Sequence, residues 1–205
     1  MPLPRFEKLE PTKRARLLEI ATAQFAKHGF EGASLNEILA AAGFGKSSYY
    51  YYFADKHDLF ATVVDAVYHS LEKEIPPANL DVKSAKAFWE AIELQQFAWL
   101  KAAVRNPNAM RVIRAAQALR SNGAVNEAVA FRRLSLLMRA MIVAGRARGF
   151  IRKDLEVDVL VAVVEAADGA LDGALYANEP EPSPARLRAH ARLALDTSRR
   201  FLRPA

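Results

Sequence analysis

The stretch GFGKSSYYYYF, residues 43–53, sets Lys46, Ser47, Ser48 and four consecutive tyrosines behind a glycine-flanked turn. An ammonium group and hydroxyls suit phosphate oxygens, and phenol rings also pack on sugars or on the methyl group of thymine. Lys46, Ser47 and Ser48 fall at the start of a short helix, where unpaired backbone N–H groups and the helix dipole favour an anion. Lys56 stands in the first turn of the helix that follows, and Lys13, Arg14 and Arg16 open the first helix of the chain. Each feature has a structural use as well, since serines cap helices and surface lysines are solvated. The aromatic run itself must be divided. At about 100° per residue, Tyr49 and Tyr52 fall on the side that continues to Phe53 and are expected to pack inward. Tyr50 and Tyr51 remain for an external partner.

The elements that position these groups read as helices almost throughout, because apolar residues recur at spacings of three and four and no strand-like alternation is present. Thr12 is the expected N-cap of the first helix, with Leu17, Leu18, Ala21, Phe25 and Ala26 as its apolar stripe ending near His28-Gly29. Ser34, with Glu37 three residues on, predicts a capped short helix that stops at Gly43. The tyrosine helix comes next, then a longer one capped by Asp55 that carries Leu59, Phe60, Val63, Val64, Val67 and Leu71. Pro76-Pro77 closes it and is the clearest boundary in the chain. Beyond lie expected helices over 82–105, 107–120, 125–148, 156–177 and 183–202. They are separated by Asn106-Pro107, Ser121-Asn122-Gly123, 149–154 and the Pro-rich NEPEPSP at 178–184. The fold class is all-α. Two helices around AAGFGK, the second short, fit a helix-turn-helix whose second helix enters the major groove. An ordinary αα-hairpin inside a bundle fits the same pattern.

Composition narrows the classes. The chain has 205 residues, 52% apolar and 25% charged, without cysteine. Disulfides, thiolate metal sites and cysteine catalysis are thereby excluded. No apolar run reaches the roughly 18 residues that span a bilayer, and MPLPRFEKLEPTKR lacks the apolar core of a signal peptide, so a cytoplasmic protein is expected. The net charge of +6 does not by itself specify nucleic acid, since residues 1–58 hold eight Lys or Arg against seven Asp or Glu. The excess lies later, from Arg105 to Arg148 and from Arg186 to Arg203. His28, His57, His69 and His190 are scattered without metal-ligand spacing, and no phosphate-binding glycine loop is present. Ser47-Ser48 has no local base. No enzyme activity and no cofactor are expected.

TKRARLLEIATAQFAKHGFEGASLNEILAAAGFGKSSYYYYFADKHDLFATVV, from Thr12 to Val64, resembles the N-terminal domain of the TetR (tetracycline repressor) family. AQFAKHGF matches its first-helix ending, SLNEILAAAG its second helix, and GKSSYYYYFADKHDLF its third-to-fourth-helix signature. GRARGFIRKDLEVDVLVAVVEAADGAL resembles a weaker family pattern near the eighth helix. The resemblance implies a DNA-binding domain over residues 1–54 and an effector-binding and dimerisation domain over 55–205, connected by the fourth helix at about 55–74. By position, Ser34 would cap the second helix, Asn36 would contact base or phosphate, and Lys46, Ser48, Tyr50 and Tyr51 would face DNA, with Lys56 on a phosphate. Lys13, Arg14 and Ser47 complete the candidate set. The chain departs from the family pattern at Ala33, Gly45, Ser47 and Tyr49.

For the second part the resemblance implies a small-molecule effector and a homodimer on a palindromic operator in double-stranded DNA. Candidate ligand-facing residues are Phe88, Ile92, Gln95, Gln96, Trp99, Met138, Glu165 and Asp168. Phe88, Ile92 and Trp99 share one helical stripe, which is also what a core looks like. The acids Glu165, Asp168 and Asp172 need partners, either arginines of the last helix (Arg186, Arg188, Arg192, Arg199) or a cationic effector. The Arg-rich helices over 107–148 suit an anionic one, and a solvated surface explains either feature equally well. Gly169, Asp172, Gly173, Arg188, Arg192, Leu195 and Arg199 are the candidate dimer contacts, because the small residues let another helix approach closely. The expected function is a ligand-responsive transcriptional regulator, acting as a repressor. The alternative is a helical small-molecule binding or interaction protein that keeps the fold but has lost specific DNA binding.

Overall fold

The computed structural model describes residues 5–121, 129–179 and 182–204. After a 3-10 turn at Phe6–Lys8 come α1 (Pro11–Gly32), α2 (Leu35–Ala42), α3 (Lys46–Tyr52), α4 (Lys56–Glu72), α5 (Ala85–Arg105), α6 (Pro107–Ser121), α7 (Val129–Ala147), α8 (Val157–Asn178) and α9 (Pro184–Leu202). The chain is all-α among the described residues. The expected start of the 125–148 helix, the Asn122-Gly123 break and part of NEPEPSP lie outside them.

Helix ends follow local chemistry, with instructive differences. The N-cap of α1 is Glu10, not Thr12: the Glu10 carboxylate accepts from the Thr12 and Lys13 N–H groups at 2.9 and 3.3 Å. Pro11 then takes the N1 position, where its missing N–H costs nothing. Ser34 caps α2 as expected, accepting from the Glu37 N–H at 3.3 Å. Gly43, at φ +77°, ends α2 with the paired bonds Gly43 N to Ala40 O and Phe44 N to Leu39 O. Asp55 accepts from the Asp58 N–H (2.9 Å) while the Asp58 carboxylate accepts from the Ala54 N–H (3.1 Å), so the start of α4 is locked from both sides. The fifth helix begins at Ala85 and not at 82, because Ser84 caps it through the Ala87 N–H.

The chain forms two compact units. The first comprises Met1–Glu72 with Arg105–Phe131, the second Lys73–Val104 with Arg132–Ala205. In the first unit α1 packs against α2, α4 and α6, and α4 against α6. Its centre is Phe25 and Phe30 around Phe60, with ring centroids 4.9 and 5.2 Å from that of Phe60. Leu59, Phe60, Val63, Val64, Val67 and Leu71 of α4 are all buried. This unit runs past residue 54 and takes α6 from later in the chain. The second unit is centred on Phe88, Trp89, Ile142, Ile151, Leu160, Val161, Val164 and Leu202. Gly145 of α7 is required there, since a Cβ would stand 2.6 Å from Ile151 Cδ1 and 2.9 Å from Phe88 Cζ.

Tyr49 is the least conventional core residue. Its ring is fully buried and stacked 5.4 Å from Phe53, while its hydroxyl donates to the Asp55 carbonyl at 2.6 Å. Burial, followed by the charges of Asp55 and Asp58, pushes its phenol well above the ordinary tyrosine range. Tyr49→Phe keeps the ring but deletes a buried hydrogen bond. Because the Asp55 carbonyl still accepts from the Leu59 N–H, the expected loss is about 1 kcal/mol, read by urea denaturation.

Candidate nucleic-acid interface

The turn around Gly43 sets α3 beside α2, and α3 is fastened by one side only. Tyr49 is buried and Tyr52 half-buried, whereas Lys46, Ser47, Ser48, Tyr50 and Tyr51 are exposed. Tyr50 and Tyr51 present 60% and 51% of their surface, so large rings stand in water next to a lysine and two hydroxyls. A buried packing role is closed to these two rings, and contact with sugars, phosphates or thymine methyl groups is open to them. Gly45 occupies the N-cap of α3 in ordinary extended backbone and supplies no side-chain bond. Neither end turn of α3 carries an acid.

The remaining candidates divide. Asn36 and Lys13 are exposed. Ser34 is occupied as the α2 cap. Arg14 is half-buried and donates to the Glu7 carbonyl at 3.2 Å, and Arg16 donates to the Ala41 carbonyl at 3.1 Å, tying α1 to the end of α2. Lys56 donates to the Glu31 carbonyl at 3.1 Å with its ammonium 4.8 Å from the Phe30 ring centroid. Two of its three N–H donors are not used by that bond. The side-chain lock by Asp58 and the hydroxyl bond of Tyr49 were not read from the sequence. The Asp-x-x-Asp spacing at 55–58 was the available signal for the first.

In the second unit, Phe88 is core, with Ile92, Met138 and Leu195 packed on that core. Gln95, Gln96 and Trp99 are half-buried. Asp172 meets a histidine and not one of the expected arginines. Asp172 Oδ1 lies 2.6 Å from His190 Nε2, and the buried Oδ1 of Asp168 has no hydrogen-bond partner among the described residues. Arg192 lies over the Phe97 ring at 5.8 Å, Arg199 over Trp89 at 5.9 Å, and Arg186 pairs with Glu179 at 3.6 Å. The arginines lean on aromatic faces because an extended guanidinium covers apolar surface while its charge stays solvated. The glycines Gly169 and Gly173 are exposed, and a Cβ built on either meets nothing within 4 Å. Among the described residues no set of three His, Asp or Glu is arranged to hold a metal ion. No described helix is long and apolar enough to cross a membrane.

Residues 17–63 match the family model described as bacterial regulatory proteins, tetR family. Over 148 residues the chain is 28% identical to the HTH-type transcriptional repressor SCO4008 of Streptomyces coelicolor, covering 64% of this chain and 77% of that protein. It is 29% identical over 146 residues to the HTH-type transcriptional repressor NicS of Pseudomonas putida, covering 69% and 67%. In fold it is similar to the fatty acid degradation regulator FadR of Bacillus halodurans, with a TM-score of 0.66 at 15% identity over 94% of this chain and 95% of that one.

Asp168 yields a pH test. Burial first, then the neighbouring charges of Asp172 and Glu165, raise its carboxyl to about 6, against the opposing effect of His190. Between about 4 and 6 the unfolded chain therefore holds fewer protons at this site than the folded one, and its contribution to stability falls as pH rises. Asp168→Asn removes that cost. The variant is expected to exceed wild type at pH 8, by on the order of 1–3 kcal/mol, with the advantage shrinking as pH falls through 6. Thermal denaturation across pH reads it, and an advantage independent of pH contradicts the assignment.

Proposed function

Given that this chain belongs to the tetR family of bacterial regulatory proteins, we propose that it is a homodimeric repressor that grips a palindromic operator through α3 and is released by a small-molecule effector. It is a helix-turn-helix transcriptional regulator. The observation that carries the DNA reading is the division of α3, which holds itself by Tyr49 and exposes Lys46, Ser47, Ser48, Tyr50 and Tyr51. Asn36, beside the α2 cap, and Lys13 extend the proposed contact set. Ser34 serves it by fixing the start of α2. Arg14 and Lys56 serve it by positioning α1 and α4, with Lys56 retaining donors for a phosphate.

A dimer is supported by the outward chemistry of α8 and α9. Val159, Val163 and Leu193 are 46%, 39% and 52% exposed, alongside the uncovered glycines of α8. Apolar and small side chains left in water favour a second helix pair. A twofold dimer in turn suits an operator whose half-sites are spaced by one helical repeat, about 34–36 Å. The effector is assigned to the second unit, into which the chain passes at Lys73 directly after α4. An effector that favours a different separation of the two α3 helices by roughly 1–3 kcal/mol would lower operator occupancy measurably.

The test is binding to DNA flanking the gene by fluorescence anisotropy, with genomic fragments as competitors. The double variant Lys46→Ala/Tyr50→Ala is expected to weaken selective binding by roughly ten- to hundredfold, from contacts of ~1–3 kcal/mol. Both residues are exposed, so its melting temperature and oligomeric state should match wild type. Undiminished binding by that variant would show that α3 is not the reading surface.

A further inference from the structure

Residues 5–10 precede the stretch from which the DNA-facing set was read, yet their path is fixed. Phe6 is 4% exposed, its ring 4.8 Å from Phe53 and 6.2 Å from Tyr52. The turn closes through Lys8 N to Arg5 O and Leu9 N to Phe6 O, both 3.1 Å. Arg14 holds the Glu7 carbonyl, and Glu10 caps α1. The segment is thus pinned to the aromatic cluster beneath α3 at one end and to α1 at the other. Its consequence is the position of Arg5, whose guanidinium carbon lies 4.5 Å from the centroid of the exposed Tyr51 ring.

We propose that Arg5, positioned by Phe6, is a further DNA contact that grips a backbone phosphate beside Tyr51. The inference rests on the reading of α3 as the DNA-facing helix. A guanidinium stacked on a ring uses its face for the aromatic contact and keeps its N–H donors at the rim, in the fork that matches two phosphate oxygens. Arg5 is exposed, and among the described residues no carboxylate is paired with it. Its place also selects phosphate over base. Tyr51 lies in the last turn of α3, and a seven-residue helix is about 10 Å long, close to the roughly 12 Å width of the major groove. The ends of such a helix lie nearest the sugar–phosphate walls, and Arg5 sits at an end. Phe6 is a positioning residue: its burial fixes the backbone from which the arginine reaches Tyr51.

The experiment is anisotropy with the full chain and a selectively bound DNA fragment over a series of salt concentrations. Arg5→Ala is expected to bind about tenfold more weakly. The slope of log affinity against log salt should fall by about 0.9 for each phosphate that is no longer neutralised, hence by about 1.8 for a dimer. Melting temperature should not change, because the residue is exposed. Phe6→Ala should reduce the slope equally, and adding Arg5→Ala to it should cost little more, as expected for two residues serving one contact. Binding within twofold of wild type at unchanged slope overturns the proposal. So does weaker binding at unchanged slope, which would make Arg5 only a support for the Tyr51 ring. If wild type binds no DNA selectively, the DNA reading itself fails. If Tyr50→Ala weakens binding while Arg5→Ala does not, only the assignment of Arg5 fails.

Discussion

A helix of seven residues has too few internal hydrogen bonds to persist alone in water, so whatever α3 offers outward depends on what fastens its inner side. Here the fastening is Tyr49. Its ring fills the space against Phe53, and its hydroxyl reaches the Asp55 carbonyl at the mouth of α4. One side chain therefore supplies apolar burial and joins two helix ends. The double lock of Asp55 and Asp58 on the start of α4 makes that carbonyl a fixed target. Phe6 and Tyr52 complete the inner aromatic layer. With the inside closed, Tyr50 and Tyr51 have only the outside left.

Much of this was legible because helical periodicity and capping are local. Ser34, Gly43 and Asp55 mark helix ends by their own backbone chemistry, and the 49/52 against 50/51 division follows from the turn angle alone. Thr12 misled because a Glu two residues earlier, followed by proline, can reach the same N–H groups; Pro11 fixes the first turn and shifts the cap outward. The pairing of Asp172 with His190 was hidden for another reason. Pattern reading sees complementary charge, and α9 offers several arginines, but which side chain of α9 meets α8 depends on helix rotation. Arg192 and Arg199 instead lie on Phe97 and Trp89, and Arg186 on Glu179. Arg5 carried no periodic signal, since it lies before any helix and its position depends on the burial of Phe6.

Charge in this chain is spent largely on structure. Arg14, Arg16 and Lys56 hold backbone carbonyls, and Arg152 forks onto Asp154 (2.8 and 2.5 Å) while donating to the Phe201 carbonyl near the end of α9. That fork holds the Asp154 carboxyl at about 2. A net charge of +6 thus says little about where an anion would bind. Local exposure says more, and it favours the end of the first unit where lysine, serine and tyrosine share a short helix with an uncovered outer side.

Tyrosine-directed nitration followed by peptide mass spectrometry reads each ring of the run separately, and so tests whether Tyr49 fastens α3 while Tyr50 and Tyr51 face DNA. Nitration proceeds through the phenolate, and Tyr49 is both enclosed and held above its ordinary pKa. Rapid modification of Tyr50 and Tyr51 is expected, with none of Tyr49 in the folded chain and protection of Tyr50 and Tyr51 by bound operator DNA. Modification of Tyr49 at a rate like theirs, or exposed rings that DNA leaves equally reactive, would contradict it.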